Sequence, residues 1–344
     1  MNWSRRAFVG AGLVSAGAAA GVLIRKSQEQ PGSRRDTNAG ADVVYDVSEF
    51  ETTDPRHLRF LPSGMVPTGL DRVTRLVTGP GGLLFVAGDR AVRILDQDGH
   101  RKAEIKLERP PHCLHLAGED ELLIGFGNHF EVFHLDGTSR LKSPRLGPET
   151  FLTAIGSLDG TVYLADAGSR EVLMCDRRTG DVTGRFGRKD DPPGAPGFVV
   201  PSPYFDLKVD HDGLDIANPG RLRVERYRLD GRFESSWGRP GMAIDRFCGC
   251  CNPVYLARTS KGEFLTSEKG LARVNLYSAT GSFLGAVAGP ESLVDDKELA
   301  RRACADCRLG GGFDVAAGED GRVFVLDPFR KAVRIFAPIT PTKA

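Results

Sequence analysis

Residues 320–327 have the sequence Asp-Gly-Arg-Val-Phe-Val-Leu-Asp, and residues 332–336 continue with Ala-Val-Arg-Ile-Phe. An earlier stretch, residues 159–166, repeats the first run as Asp-Gly-Thr-Val-Tyr-Leu-Ala-Asp. Each run places β-branched and aromatic residues between Asp and Gly turns, a pattern typical of neighbouring antiparallel strands. The chain is therefore predicted to be an all-β protein built from a repeated unit.

The repeat occurs six times, and its period is typical of the blades of a β-propeller. We expect the propeller to occupy residues 42–340, with blades near residues 74–105, 113–143, 152–187, 205–238, 254–289 and 313–337. The last copy supplies only three strands. A strand from residues 42–61, either Val43-Val44-Tyr45 or His57-Leu58-Arg59-Phe60, is expected to complete that blade and to remove its exposed edge.

These runs resemble NHL repeats, whose consensus is Asp-Gly-x-Val-Tyr-Val-x-Asp followed by a linker containing Phe-Gly and a later Gly-x-Phe-x-x-Pro. Residues 186–201 match that linker, from Phe186-Gly187 to Pro201, and residues 237–253 match it from Trp237-Gly238 to Pro253. The resemblance covers roughly residues 70–337 and implies a six-bladed propeller of the NHL type. It implies no particular chemistry, because propellers support many functions.

The first 26 residues differ in character from the rest. Ser4-Arg5-Arg6-Ala7-Phe8 precedes an apolar run that ends at Ile24. This segment resembles a twin-arginine signal, which implies export of a folded protein to the periplasm. The alternatives are an ordinary signal-anchor with two arginines and an uncleaved membrane anchor at the N-terminus. Residues 27–41 are polar and are expected to be a disordered tether.

Overall charge gives little information about partners. The net charge of +1 provides no electrostatic reason to expect nucleic acid as a ligand. The sequence lacks a P-loop, a nucleophile elbow, a zincin motif and a dinucleotide fingerprint. The charged run 221–228 is expected on a solvated blade face.

Five of the seven cysteines fall into two short clusters: Cys248, Cys250 and Cys251 precede blade 5, and Cys304 and Cys307 precede blade 6. Equivalent linkers of adjacent blades emerge on the same face of a propeller, so we expect these thiols to be neighbours. Thiolates are preferred ligands of iron–sulfur clusters, Cu(I) and Zn. A [4Fe–4S] cluster is the preferred interpretation, with one cysteine to spare, and residues 290–303 are expected to form a short helix beside it.

Two alternatives to the cluster stay open. Copper or zinc could occupy the site, although Cys-x-Cys-Cys is not the usual zinc knuckle. Disulfides without a metal are the other alternative, because exported proteins form them readily. Against disulfides alone, an odd number of thiols leaves one unpaired, and adjacent cysteines form strained bridges with each other.

The two remaining cysteines are weaker candidates. Cys175 follows an apolar strand run and is expected in the core. Cys113 and His115 alternate on one face of a predicted inner strand, where they could hold a second metal near the central channel. The alternative is a core thiol beside a hydrogen-bonded histidine.

Three functions are compatible with these patterns. The first is an exported electron-transfer or redox-accessory protein that docks a redox or scaffold partner through its cysteine-bearing face. The second is a disulfide-stapled interaction module. The third is a copper- or zinc-dependent enzyme at the channel mouth, with His112 or His115 as a ligand. A monomer is expected in each case.

Overall fold

The computed structural model describes residues 48–189, 196–296 and 312–340. Within these ranges the chain forms six four-stranded antiparallel sheets. The innermost strands of successive sheets pack against one another, and the innermost strand of the last sheet packs against that of the first, so the sheets form a closed ring. The predicted six-bladed β-propeller is confirmed.

Each blade has four strands, which follow one another from the axis of the ring to its rim. Blade 1 contains β2 Val73–Thr78, β3 Leu84–Gly88, β4 Ala91–Leu95 and β5 Arg101–Lys106, and blade 2 contains β6 Cys113–Ala117, β7 Glu121–Gly125, β8 Phe130–His134 and β9 Ser139–Lys142. Blade 3 contains β10 Leu152–Leu158, β11 Thr161–Asp166, β12 Glu171–Asp176 and β13 Val182–Phe186, and blade 4 contains β14 Leu207–Asp210, β15 Gly213–Asn218, β16 Arg223–Tyr227 and β17 Phe233–Trp237. Blade 5 contains β18 Tyr255–Arg258, β19 Phe264–Glu268, β20 Arg273–Tyr277 and β21 Phe283–Ala288, and blade 6 contains β22 Asp314–Ala317, β23 Val323–Asp327, β24 Ala332–Pro338 and β1 Phe60–Pro67.

Helical structure in the described ranges is limited to short segments. They are the helix α1 Pro290–Leu293 and the 3-10 turns Ser48–Phe50, Pro55–His57, Pro80–Gly82 and Pro219–Arg221. None of the helices in this part of the chain has the length and apolar character needed to cross a bilayer.

Burial falls from the middle of a blade to its edge in most blades, whereas the edge strand β21 of blade 5 is largely buried. The second strands β3, β15, β19 and β23 are buried along their whole length, because both of their faces pack against neighbouring blades. The outer strands β9 and β17 are largely exposed. The apolar runs that revealed the repeat are thus the blade-to-blade core.

The ring is closed by an N-terminal strand, as predicted, but its position was predicted wrongly. The closing strand is β1, which pairs antiparallel with β24, so only Phe60 and Leu61 of the predicted range 42–61 take part. Pro62, Gly64 and Pro67 hide this strand from a pattern search, although an edge strand tolerates proline because its outer side needs no N–H donor. Residues 57–59 contact blade 5 instead, where Leu58 bridges to Ala286, and Val43-Val44-Tyr45 lie outside the described residues.

The expectation of a solvated face for residues 221–228 holds for Arg221 and Arg228, which are exposed, but not for the middle of the run. Glu225 in β16 is fully buried, where it accepts hydrogen bonds from Asn218 Nδ2 at 2.9 Å and from Tyr227 Oη at 2.8 Å. Arg223 forms an ion pair with the same carboxylate. Arg226 pairs instead with Asp210 of β14 and Asp215 of β15.

Several predictions concern residues beyond the described ranges. They are the twin-arginine segment 1–26, the tether 27–41, Cys304, Cys307 and residues 297–303 of the helix expected at 290–303. In the described part of that helix, α1 forms the first four residues and 294–296 are not helical.

Candidate functional site

The linker into blade 5 carries the first cysteine cluster. It leaves β17 through Gly238, whose φ of 98° lies in the left-handed region that favours glycine. A Cβ at this position would lie 2.5 Å from Cε2 of Phe247, so the glycine also permits close packing of that ring. The ring of Phe247 is almost fully buried, and this anchors the chain just before Cys248.

A buried ion pair holds this linker in place. Glu268, the last residue of β19, lies 2.9 Å from the Arg273 guanidinium, and both side chains are almost completely buried. Arg273 also donates hydrogen bonds to the carbonyl oxygens of Met242 at 3.0 Å and Arg246 at 2.9 Å. Because Glu268 Oε2 accepts the backbone N–H of Cys248 at 2.9 Å, the pair fixes where the cysteine loop begins.

The Asn252 side chain fixes where the loop ends. Its Nδ2 donates to the carbonyl oxygens of Cys248 at 2.7 Å and Lys269 at 3.0 Å. Its Oδ1 accepts the backbone N–H of Lys269 at 2.9 Å. The loop 248–252 is therefore tied to itself and to the turn after β19 by a single buried amide.

The three described sulfur atoms of this loop lie in different surroundings. Cys250 is exposed and Cys251 is buried, and their Sγ atoms lie 3.8 Å apart. Cys248 is buried, and its Sγ lies 3.8 Å from Asn252 Nδ2. In the described ranges, no set of three His, Cys, Asp or Glu ligand atoms within 4.8 Å of one another includes a cysteine. The close pair is Cys250 and Cys251.

The surroundings of Cys248 and Cys251 shift the pKa values of their thiols differently. Burial and the neighbouring Glu268 carboxylate raise the pKa of the Cys248 thiol to about 12. Burial also raises the pKa of Cys251, but the Lys269 ammonium and the Ser202 hydroxyl act in the opposite direction and favour its thiolate. A thiolate forms more readily at Cys251 than its burial alone would allow.

Cys304 and Cys307 lie outside the described residues, so the convergence of both cysteine clusters remains a prediction. The first cluster lies in the linker in which the sequence placed it.

The weaker candidates lie in blades 2 and 3. Cys113 is fully buried against Gly125, and burial raises the pKa of its thiol to about 12. Burial, with Lys208 and Arg177 nearby, lowers the pKa of His115 to about 4, so its imidazole is neutral. Cys175 is packed in the core, as expected. The second metal site at Cys113 and His115 remains a prediction.

An axial cavity opens where the six inner strands begin, and of its lining residues only His112 was predicted from the sequence, as a candidate at the channel mouth. Its volume is about 390 Å³, within the range of small-molecule pockets. Every blade contributes to its wall, through residues that include Thr74, His112, Phe151, Phe205, Tyr255 and Asp314. Tyr204 joins the cavity to the cysteine loop, because its ring lies 5.6 Å from that of Tyr255 and 4.9 Å from Lys269 Nζ.

A buried charge network lies beneath this cavity. Arg75 of β2 lies 2.8 Å from Asp206 and 3.4 Å from Asp314, and all three side chains are almost completely buried. The carboxylates also accept the N–H groups of Leu256 and Leu76, at 2.8 Å and 2.7 Å. The network joins four blades at the axis. Arginine within an apolar strand was its only sequence signal.

Comparisons with known proteins support the fold. A solved structure of streptogramin B lyase is similar, with a TM-score of 0.55 and 12% identity, over 82% of this chain and 98% of that chain. A structural-genomics protein of unknown function from Bacteroides thetaiotaomicron is also similar, with a TM-score of 0.54 and 12% identity, over 81% of this chain and 72% of that chain. At this identity the likeness establishes a six-bladed propeller and nothing about activity.

Comparison with family models and with curated proteins gives no match.

Proposed function

We propose that this protein is an exported metal-binding propeller in which Cys250 and Cys251 chelate one thiophilic metal. The observation that carries the proposal is the 3.8 Å separation of their sulfur atoms. Two thiolates on one tetrahedral ion with metal–sulfur bonds of about 2.3 Å lie about 3.8 Å apart. The pair therefore has the spacing of a chelate before any metal binds.

The surroundings of the pair favour metal loading. The loop is held by Asn252 and by the Glu268–Arg273 ion pair, so metal binding need not order it. A ligand thiol must lose its proton when the metal binds; burial raises the pKa of Cys251, and the Lys269 ammonium offsets part of that rise. Cys250 is exposed, which gives a metal donor direct access.

Iron in an iron–sulfur cluster is the metal we propose, with an electron-transfer or redox-accessory role. Thiolates are the ligands of such clusters, and the sequence supplies further candidates in Cys304 and Cys307. A twin-arginine signal, which carries folded proteins, would suit a cofactor inserted before export. Two thiolates on one iron is the arrangement of a [2Fe–2S] cluster, whereas a [4Fe–4S] cluster is the expectation from the sequence alone. Iron and sulfide stoichiometry distinguishes these two forms.

The test is anaerobic purification of the full chain, followed by visible absorption and by iron, acid-labile sulfide, copper and zinc analysis. A coloured wild-type protein is expected, and both Cys250→Ser and Cys251→Ser should lose the colour and the metal. Cys175→Ser is the matched control, because this thiol is buried in blade 3, and it should keep both. A colourless, metal-free wild-type protein with paired thiols would instead support the disulfide-stapled interaction module.

A further inference from the structure

The walls of the axial cavity contain two pairs of aromatic rings. His112 and Phe151, from blades 2 and 3, have centroids 4.8 Å apart. Tyr204 and Tyr255, from blades 4 and 5, meet edge to face at 82°. Rings arranged in this way can hold a flat ligand, which stacks on the face of one ring and meets the edge of another.

Charged groups of both signs surround the cavity. Arg72, Asp71 and Asp314 line it, and Lys269 and Arg75 contact two of its lining rings from outside the lining. Lys269 Nζ lies 4.9 Å from the Tyr204 ring centroid and Arg75 Cζ lies 4.7 Å from that of Tyr255, so each tyrosine ring already carries a cation. Asp314, which lines the cavity, and Asp206, which does not, are both paired with Arg75. A cationic ligand would meet Arg72 and the cations on the two tyrosine rings, and an anionic ligand would meet the Asp314 carboxylate.

The polar groups of the wall select for a hydrogen-bond donor. Thr74 Oγ1 donates to the carbonyl oxygen of Ala87 at 3.1 Å, and Thr153 Oγ1 donates to that of Phe205 at 2.7 Å. Since each hydroxyl proton is already used, these oxygens can only accept from a ligand. The Asp314 carboxylate is a third acceptor.

We propose that the axial cavity binds a neutral, planar aromatic molecule of one or two fused rings that carries a hydroxyl or N–H donor. Phenols, naphthols and indoles are the chemical class. The rings of the wall hold the aromatic plane, and the threonine and aspartate oxygens accept from its donor. The site requires no metal, so it stands or fails independently of the metal-binding function.

The experiment is calorimetric titration of the full chain with 2-naphthol. We expect saturable one-to-one binding, weakened about tenfold or more by Thr74→Phe, which places a ring inside the cavity. Thr78→Phe is the matched control. Thr78 lies on the same strand with the same partial burial, its hydroxyl also donates to a backbone carbonyl at 2.8 Å, and it does not line the cavity. This control should bind within about twofold of the wild type.

A second ligand and a second variant complete the test. 2-Methoxynaphthalene keeps the rings but has no donor, so it should bind about tenfold more weakly than 2-naphthol. Phe151→Leu removes a wall ring without adding volume and should weaken 2-naphthol binding several-fold, which covers the case in which Thr74→Phe fails to fold. The proposal is overturned by a lack of saturable binding, by equal binding of the two ligands, or by equal losses in Thr74→Phe and Thr78→Phe.

Discussion

The linker into blade 4 (linker 4) and the linker into blade 5 (linker 5) share the same backbone framework but differ in the residues at their tips. Each begins at a glycine with positive φ, Gly187 at 95° and Gly238 at 98°, that packs closely on a phenylalanine, Phe198 or Phe247. In each, the residue after that phenylalanine donates its N–H to the last side chain of the second strand. The distances are 3.0 Å from Val199 to Asn218 Oδ1 and 2.9 Å from Cys248 to Glu268 Oε2.

The two tips differ in chemistry. Counted from the phenylalanine, Pro201 and Ser202 of linker 4 occupy the positions of Cys250 and Cys251 in linker 5. Linker 4 shows that this connection forms without thiols. The cysteine pair is therefore not required by the propeller, which is why we assign it to function.

The largest effect on stability is expected at the Glu268–Arg273 ion pair. In linker 5 the Glu268 carboxylate takes the place that the Asn218 amide has in linker 4. Arg273→Met leaves the buried Glu268 carboxylate without its cation and should lower the free energy of unfolding by about 3–5 kcal/mol. Asn218→Ala, the corresponding change in linker 4, should cost about 1–3 kcal/mol. Urea unfolding of both variants measures the difference. A loss below about 1 kcal/mol in Arg273→Met would show that linker 5 does not depend on this pair.

The shared framework predicts similar effects of alanine at the two glycines. A Cβ would lie 1.9 Å from a Phe198 ring carbon at Gly187 and 2.5 Å from a Phe247 ring carbon at Gly238. Both glycines also have a positive φ, which is strained for alanine. Gly187→Ala and Gly238→Ala should therefore each lower the melting temperature and lower the free energy of unfolding by at least about 2 kcal/mol. A large loss in one variant only would mean that the two linkers are built differently.

Titration sharpens the contrast between the cysteine pair, of which Cys250 is exposed, and the candidate Cys113–His115. The pKa of His115 is about 4 in the folded protein, below the ordinary 6.5, because of burial and nearby Lys208 and Arg177. The unfolded chain binds the extra proton, so stability rises with pH between about 4 and 6.5, by up to about 2–3 kcal/mol. Urea unfolding across this range should show a smaller rise in His115→Gln. An unchanged slope would contradict the assignment of the titration to His115.

The fold was predictable because its signal is local and repeated. Turns that contain glycine, many of them Asp-Gly, and apolar strand runs recur in each blade, and they set both the strand order and the linker that carries Cys248. The closing strand was misplaced because Pro62 and Pro67 are acceptable only on an edge that the sequence does not reveal.

Features that depend on several blades could not be predicted. Arg75, Asp206 and Asp314 come from three blades, and no local pattern connects them. The buried Glu225 looked like part of an exposed charged run, because its partner Asn218 lies on the neighbouring strand. The register placed Cys250 and Cys251 in the right linker, but the separation of their sulfur atoms depends on the loop geometry that Asn252 sets.

The central claim is that the cysteine pair serves metal binding and not the scaffold. The most direct test is the double variant Cys250→Ser/Cys251→Ser, purified anaerobically as the full chain, with metal content and the free energy of unfolding measured on one sample. After metal has been removed from the wild type, the two proteins should differ by less than about 1 kcal/mol, and only the wild type should hold iron and sulfide as purified. Equal metal content in both proteins, or a large loss of stability in the variant, would contradict the claim.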